Sequence, residues 1–160
     1  MKKKIILLTI QALLIAAAAQ VYAHEHKAPH SGVLVECGEE FAHIELLNDP
    51  ESGKITAYVL DGEAENPVRL PQVSIKLKIT AGGKHFILAL KAVANPLTGE
   101  TVGDTSQFSA VSEKLKGATG FSGAVLLVKI NGETFRGLEF NHPEVKNGTN
   151  EPAVVQEKSR

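Results

Sequence analysis

The sequence predicts an all-β domain: an antiparallel β-sandwich of immunoglobulin-like form, with a small β-barrel as the alternative. Three observations carry this. Apolar residues recur at every second position in short runs, turn-forming residues punctuate those runs at near-regular spacing, and no long amphipathic helical stripe is present. A single Cys and the absence of Trp leave out the Cys…Trp…Cys signature of antibody domains.

Taken in order, Val33-Leu34-Val35-Glu36-Cys37 reads as a short strand, entered through a Ser31-Gly32 turn and ended by Gly38. Phe41 to Leu47 alternates strictly, with Ala42, Ile44 and Leu46 on one face and His43 and Glu45 on the other. The turn signal Asn48-Asp49-Pro50-Glu51-Ser52-Gly53 separates it from a third strand, Lys54 to Asp61, rich in Ile, Thr, Tyr and Val. Residues 62–71 are polar and hold two prolines, so they form a connection. Val73 to Thr80 has the cleanest alternation in the chain, with Ser74, Lys76, Lys78 and Thr80 outward.

Ala81-Gly82-Gly83-Lys84 turns that strand into its hairpin partner, His85 to Val93. A polar loop, 95–105, leads to another short strand, Ser106 to Val111, and Ser112 to Lys116 supplies at most one helical turn. Ala124 to Ile130 is apolar on both alternating faces, which predicts a central strand covered from both sides. Asn131-Gly132 then forms a two-residue hairpin, because both residues tolerate φ > 0, and Glu133 to Phe140 returns.

Ahead of this body, three lysines, an apolar run over residues 5–19 and the small residues around Val21-Tyr22-Ala23 have the layout of a secretory signal. The run is short for a membrane span, which needs about 20 apolar residues. The expected organisation is therefore a signal peptide 1–23, a His-rich segment 24–32, the β domain 33–140 and a flexible tail 141–160 dominated by Pro, Asn, Gly, Glu and Lys. Cleavage removes three lysines and leaves 14 basic against 18 acidic residues, a net charge of about −4 with histidines neutral. That balance lacks the basic face a nucleic-acid partner requires. The expected location is the periplasm, with no membrane insertion after cleavage. Cys37 has no partner for an internal disulfide, so stability rests on the apolar core.

Four of the six histidines, His24, His26, His30 and His43, fall within some twenty residues. If the mature chain begins at His24, His-Glu-His places an imidazole third in line behind a free amine. The amine, two deprotonated amides and the His26 ring can then wrap a square-planar Cu(II) or Ni(II). A second mode uses the amine and ring of His24 as a chelate, completed by His30 or His43. Both need the amine deprotonated, so affinity falls as the medium is acidified. Imidazoles alone would suit tetrahedral Zn(II). Copper leads on the divalent affinity order, with zinc and nickel as alternatives. Beside Glu45, His43 has the carboxylate that often orients a ligand histidine. Cys37 reads as a small buried apolar residue, and His85 and His142 stand apart.

No Gly-x-Ser-x-Gly elbow, low-pKa cysteine context or phosphate-cradling loop is present, so no enzymatic activity is expected. The segments His26-Lys27-Ala28-Pro29-His30-Ser31-Gly32-Val33-Leu34-Val35, Phe41-Ala42-His43-Ile44-Glu45-Leu46 and Tyr58-Val59-Leu60-Asp61 resemble a His-Pro-His-Gly-Gly type pattern. That pattern occurs in small exported bacterial proteins and in regions of periplasmic adaptor subunits of heavy-metal efflux systems, with Ser31 standing in place of its first glycine. The resemblance implies a periplasmic protein that handles metal, with an envelope protein of an efflux system as partner. The competing expectation is a non-catalytic interaction module of the cell envelope carrying a passive His-rich tail.

Overall fold

The computed structural model describes residues 26–142; the signal segment, His24 and the tail from residue 143 lie outside the described residues. Eight strands follow in order: β1 (Val33–Cys37), β2 (Ala42–Asp49), β3 (Lys54–Leu60), β4 (Ser74–Ala81), β5 (Lys84–Ala92), β6 (Gln107–Val111), β7 (Phe121–Ile130) and β8 (Glu133–His142). A single 3-10 turn, Glu113–Leu115, is the helical turn expected after β6. All neighbours are antiparallel and belong to one sheet, ordered β1-β2-β3-β6-β5-β4-β7-β8. Its two ends, β1 and β8, come back together, and the rings of Phe41 and Phe135 sit 5.5 Å apart beside that closure.

The all-β antiparallel fold is thus as the sequence predicts, in its barrel form. A nearly closed barrel replaces two separate sheets because β6 joins the β1-β2-β3 meander to the β5-β4-β7-β8 half. That junction is slight. β6 pairs with β3 along its whole length but with β5 only at Lys91↔Ser109 and Ala92↔Phe108.

Both tight hairpins have the backbone their residues were read for, with Gly82 and Gly83 at φ 53° and 72°, and Asn131 and Gly132 at φ 48° and 91°. β7 is central in its pairing, between β4 and β8. It is not covered from both sides: Ala124, Leu126 and Leu127 are only half-buried. The reason is a register shift opposite Lys76 and Leu77, which places one extra residue in β7 and moves the inward series from Val125 to Val128. Its long apolar run reflects this change of parity. Strand β8 extends through Asn141 and His142, two residues beyond the expected start of the tail.

The barrel interior is filled by branched and aromatic side chains, with Ile44, Leu46, Ile55, Leu77, Ile79 and Phe108 fully buried. Each such residue contributes about 1.5–3 kcal/mol on leaving water. Cys37 belongs to this core, and burial, followed by the charge of Glu36, pushes its thiol up to about 12. It is inert there. The carboxylate of Glu100, buried at the base of the 95–104 loop, accepts from the Ser106 amide (2.8 Å), the Ser106 hydroxyl (2.6 Å) and the Thr98 hydroxyl (2.7 Å). Arg69 Nε stands 4.0 Å away. Burial opposes ionisation of Glu100, but Ser106, Thr98 and Arg69 outweigh it and hold the carboxyl below its ordinary value.

Two outcomes follow from this packing. A Cβ on Gly123 would run into the Lys78 carbonyl and lie 2.8 Å from the ring of Phe140, its cross-strand partner. Gly123→Ala should therefore cost about 1–3 kcal/mol, read from the urea midpoint. Glu100, with its folded pKa lowered, adds stability that is complete above the ordinary carboxylate range and lost as the pH falls through the folded value. Glu100→Gln should flatten that acid-side decline when urea midpoints are compared across pH.

Candidate functional site

The outward face of β2 carries His43 and Glu45, as alternation requires, yet His43 is 4% exposed and Glu45 0%. What covers them is residues 26–32, which fold back across β2 as a strap. Its bend is a turn closed by Ser31 N donating to Ala28 O (3.2 Å), with Pro29 at the position where a fixed φ favours a turn. Ser31 has φ 63°, a conformation glycine adopts without strain and serine seldom does. Gly32 must lack a side chain, since an added Cβ would lie 2.7 Å from Leu46 O and 2.8 Å from Glu45 Cγ.

This bend aims three donors at one carboxylate. His30 N and Gly32 N both donate to Glu45 Oε1 at 2.8 Å, and His30 Nδ1 donates to Oε2 at 2.7 Å. Backbone amides converging on one anion form a nest, and here the anion is the protein's own glutamate. The His30 ring also stacks on Tyr58, centroids 4.0 Å apart and 13° from parallel. Tyr58 is the β3 residue paired with Glu45, so the stack locks the strap to both strands.

Upstream in the same strap, the His26 ring packs against His43 with centroids 4.8 Å apart and planes at 57°. His43 Nδ1 lies 3.2 Å from the carbonyl oxygen of Asp61. A carbonyl can only accept, so Nδ1 carries a proton, and Nε2 is the ring nitrogen left facing away from that bond. The Asp61 carboxylate braces this loop by accepting from Glu65 N, Asn66 N and Asn66 Nδ2. Those bonds, led by the Asn66 amide, hold it below the ordinary value. His26 Nε2 is buried with no hydrogen-bond partner; Glu40 Oε1, at 3.6 Å, is a nearby carboxylate oxygen.

Of the four expected ligands, the structure brings His26 and His43 together and sets His30 against Glu45 and Tyr58 instead. His24 precedes the described residues. The carboxylate read as orienting His43 orients His30, and His43 takes a backbone carbonyl in its place. Cys37, on the inward face of β1, lies on the opposite side of the sheet from the histidines. His85 contacts Thr80 Oγ1 at 2.8 Å and His142 stacks on Phe121, both away from the strap. Among the described residues, no three His, Cys, Asp or Glu side chains converge closely enough to hold a metal ion. His26 and His43 are the two of the expected four whose rings meet.

The fold and site together define an all-β barrel domain with a histidine-bearing N-terminal strap pinned across one strand. Compared with protein-family models, characterised proteins and solved structures, the chain matches none.

The Glu45 nest sets a further outcome. Glu45→Ala would leave the His30 and Gly32 amides without their acceptor, at about 0.5–1.5 kcal/mol for each hydrogen bond lost. The strap should then open locally: amide exchange at His30 and Gly32 rises at least about tenfold, while amides of β4 and β7 stay protected.

Proposed function

We propose that this chain is an exported, non-enzymatic metal-binding protein whose ion is held by His26 and His43, with the α-amine and imidazole of His24 as the further donors. Copper is the first candidate, with zinc and nickel as alternatives. The observation that carries this reading is the buried Nε2 of His26, without a hydrogen bond, beside an imidazole whose own Nε2 is left as an acceptor. Glu40 Oε1, at 3.6 Å, is beyond hydrogen-bond reach, and a metal ion would give this nitrogen a direct partner. His30 acts by holding the strap, not as a ligand. The efflux-type resemblance, over roughly Glu25 to Leu70, supports metal handling in the periplasm, with an envelope protein of an efflux system as partner.

Titration of the chain beginning at His24 with Cu(II), Zn(II) and Ni(II) tests the assignment. His26→Ala and His43→Ala should each weaken Cu(II) binding by at least about tenfold, or 1.4 kcal/mol, and reduce the nitrogen coupling seen by electron paramagnetic resonance. His85→Ala should leave both unchanged. An alanine inserted ahead of His24 should alter the visible spectrum. Wild-type affinity and spectrum in both histidine variants would remove the site.

A further inference from the structure

A second surface stands apart from the histidines and independent of the metal reading. The order β3-β6-β5-β4 is continuous, but β5 has a ladder partner on its β6 side only at Lys91 and Ala92. Ala92 N donates to Val73 O on the β4 side, whereas Val93 N donates to Gln107 O on the β6 side. Alternation then turns the backbone N–H and C=O groups of His85, Ile87 and Ala89 toward β6, along the part of β5 where the ladder has stopped. The ladder between β5 and β6 ends there, and this seam leaves the edge of β5 from His85 to Ala89 without a strand partner.

The side chains around the seam have a distinct chemistry. Ile87 and Val111, one on each flank, are 55% and 61% exposed although large and apolar. Lys76, Lys78 and Lys91 are exposed on the same outward face, and Lys114 closes one end with its ammonium 4.8 Å from the centre of the Phe86 ring. Residues 66–99 and 105–112 contain no Asp or Glu, although the exported chain as a whole is acidic. Open edges are usually blunted by a lysine or proline on the edge itself, by a bulge or by a cover, because unpaired strands recruit other strands. Here the edge positions are His85, Ile87 and Ala89, and the lysines lie beside them.

We propose that this seam is a docking site for an extended acidic segment of a protein partner, added as a strand to the edge of β5. Backbone pairing to His85, Ile87 and Ala89 supplies affinity and direction; alternate apolar side chains pack on Ile87 and Val111; the lysines select acidic residues between them. A basic face on an acidic protein favours an anionic partner, and an edge with free backbone groups favours a peptide over a lipid surface. A membrane would use the charge and leave those groups unpaired.

The probe is a short peptide of alternating glutamate and valine, blocked at both ends, titrated into the isotope-labelled chain and followed by nuclear magnetic resonance. Slowed amide exchange at His85, Ile87 and Ala89 is expected, with affinity that falls as salt is raised. Ile87→Pro deletes an edge donor without touching a β4 bond and should weaken binding at least about tenfold. Lys76→Glu with Lys91→Glu should do the same by charge reversal. Should Ile87→Pro not fold, a peptide N-methylated at alternate residues removes the same bonds from the other side and should bind at least about tenfold more weakly. Absence of peptide binding, equal binding of an alternating lysine and valine peptide, or undiminished binding to Ile87→Pro would overturn the proposal. Lysine-dependent binding to phosphatidylserine vesicles without edge protection would assign the face to membranes instead. Protection that grows with chain concentration alone would assign it to a second copy.

Discussion

The Glu45 carboxylate is the point on which the N-terminal architecture depends. It is fully buried, and a buried charge is tolerated only when its oxygens are matched by donors. β2 and β3 offer none on that face, since alternation has already committed their backbone groups to each other and to the flanking strands. The strap brings all three, from two amides and one imidazole. Every unusual feature of residues 26–32 follows from that demand. Pro29 makes the bend, Ser31 takes a left-handed backbone so that flanking amides point the same way, and Gly32 allows the chain to approach within contact of Leu46.

The position of His26 is a consequence of the same constraint. Once His30 and Gly32 are fixed, the chain upstream has few places to run, and it lays the His26 ring on His43. Glu45 thereby shapes the imidazole pair without touching either ring. The histidines of the segment divide accordingly: His30 contacts Glu45 and Tyr58, and His26 contacts His43. The bracing of Asp61 by Asn66 and Glu65 plays the matching part on the other side, because it holds the carbonyl that sets the His43 tautomer.

The barrel is uneven around its girth. Long ladders run through β4, β5, β7 and β8, whereas the β5–β6 junction is held by two residue pairs. The histidine strap covers β2, and the lysine-flanked seam opens at β5, with β3 and β6 between them in the sheet order. Residues 66–99 and 105–112 carry no Asp or Glu, and Glu113, next to Lys114, is paired with Lys116 at 2.8 Å. The strap and the seam are thus separated by two strands of the sheet.

Strand identity, hairpin chemistry and the inward residues of β2 and β4 could be read from the sequence alone, because period-2 alternation and turn residues such as Asn131-Gly132 are local signals. The clustering of His26, His30 and His43 was equally visible. Tertiary structure alone decided that the sheet closes as a barrel through β6, that an extra residue flips the parity of β7, and that Glu45 belongs to His30 and not to its strand neighbour His43. These depend on segments distant in sequence meeting across the fold, and no periodicity within either segment encodes which partner the other will supply. The strap shows this most directly: its residues announce a turn, but only the folded β2 face reveals the buried carboxylate whose oxygens the turn satisfies.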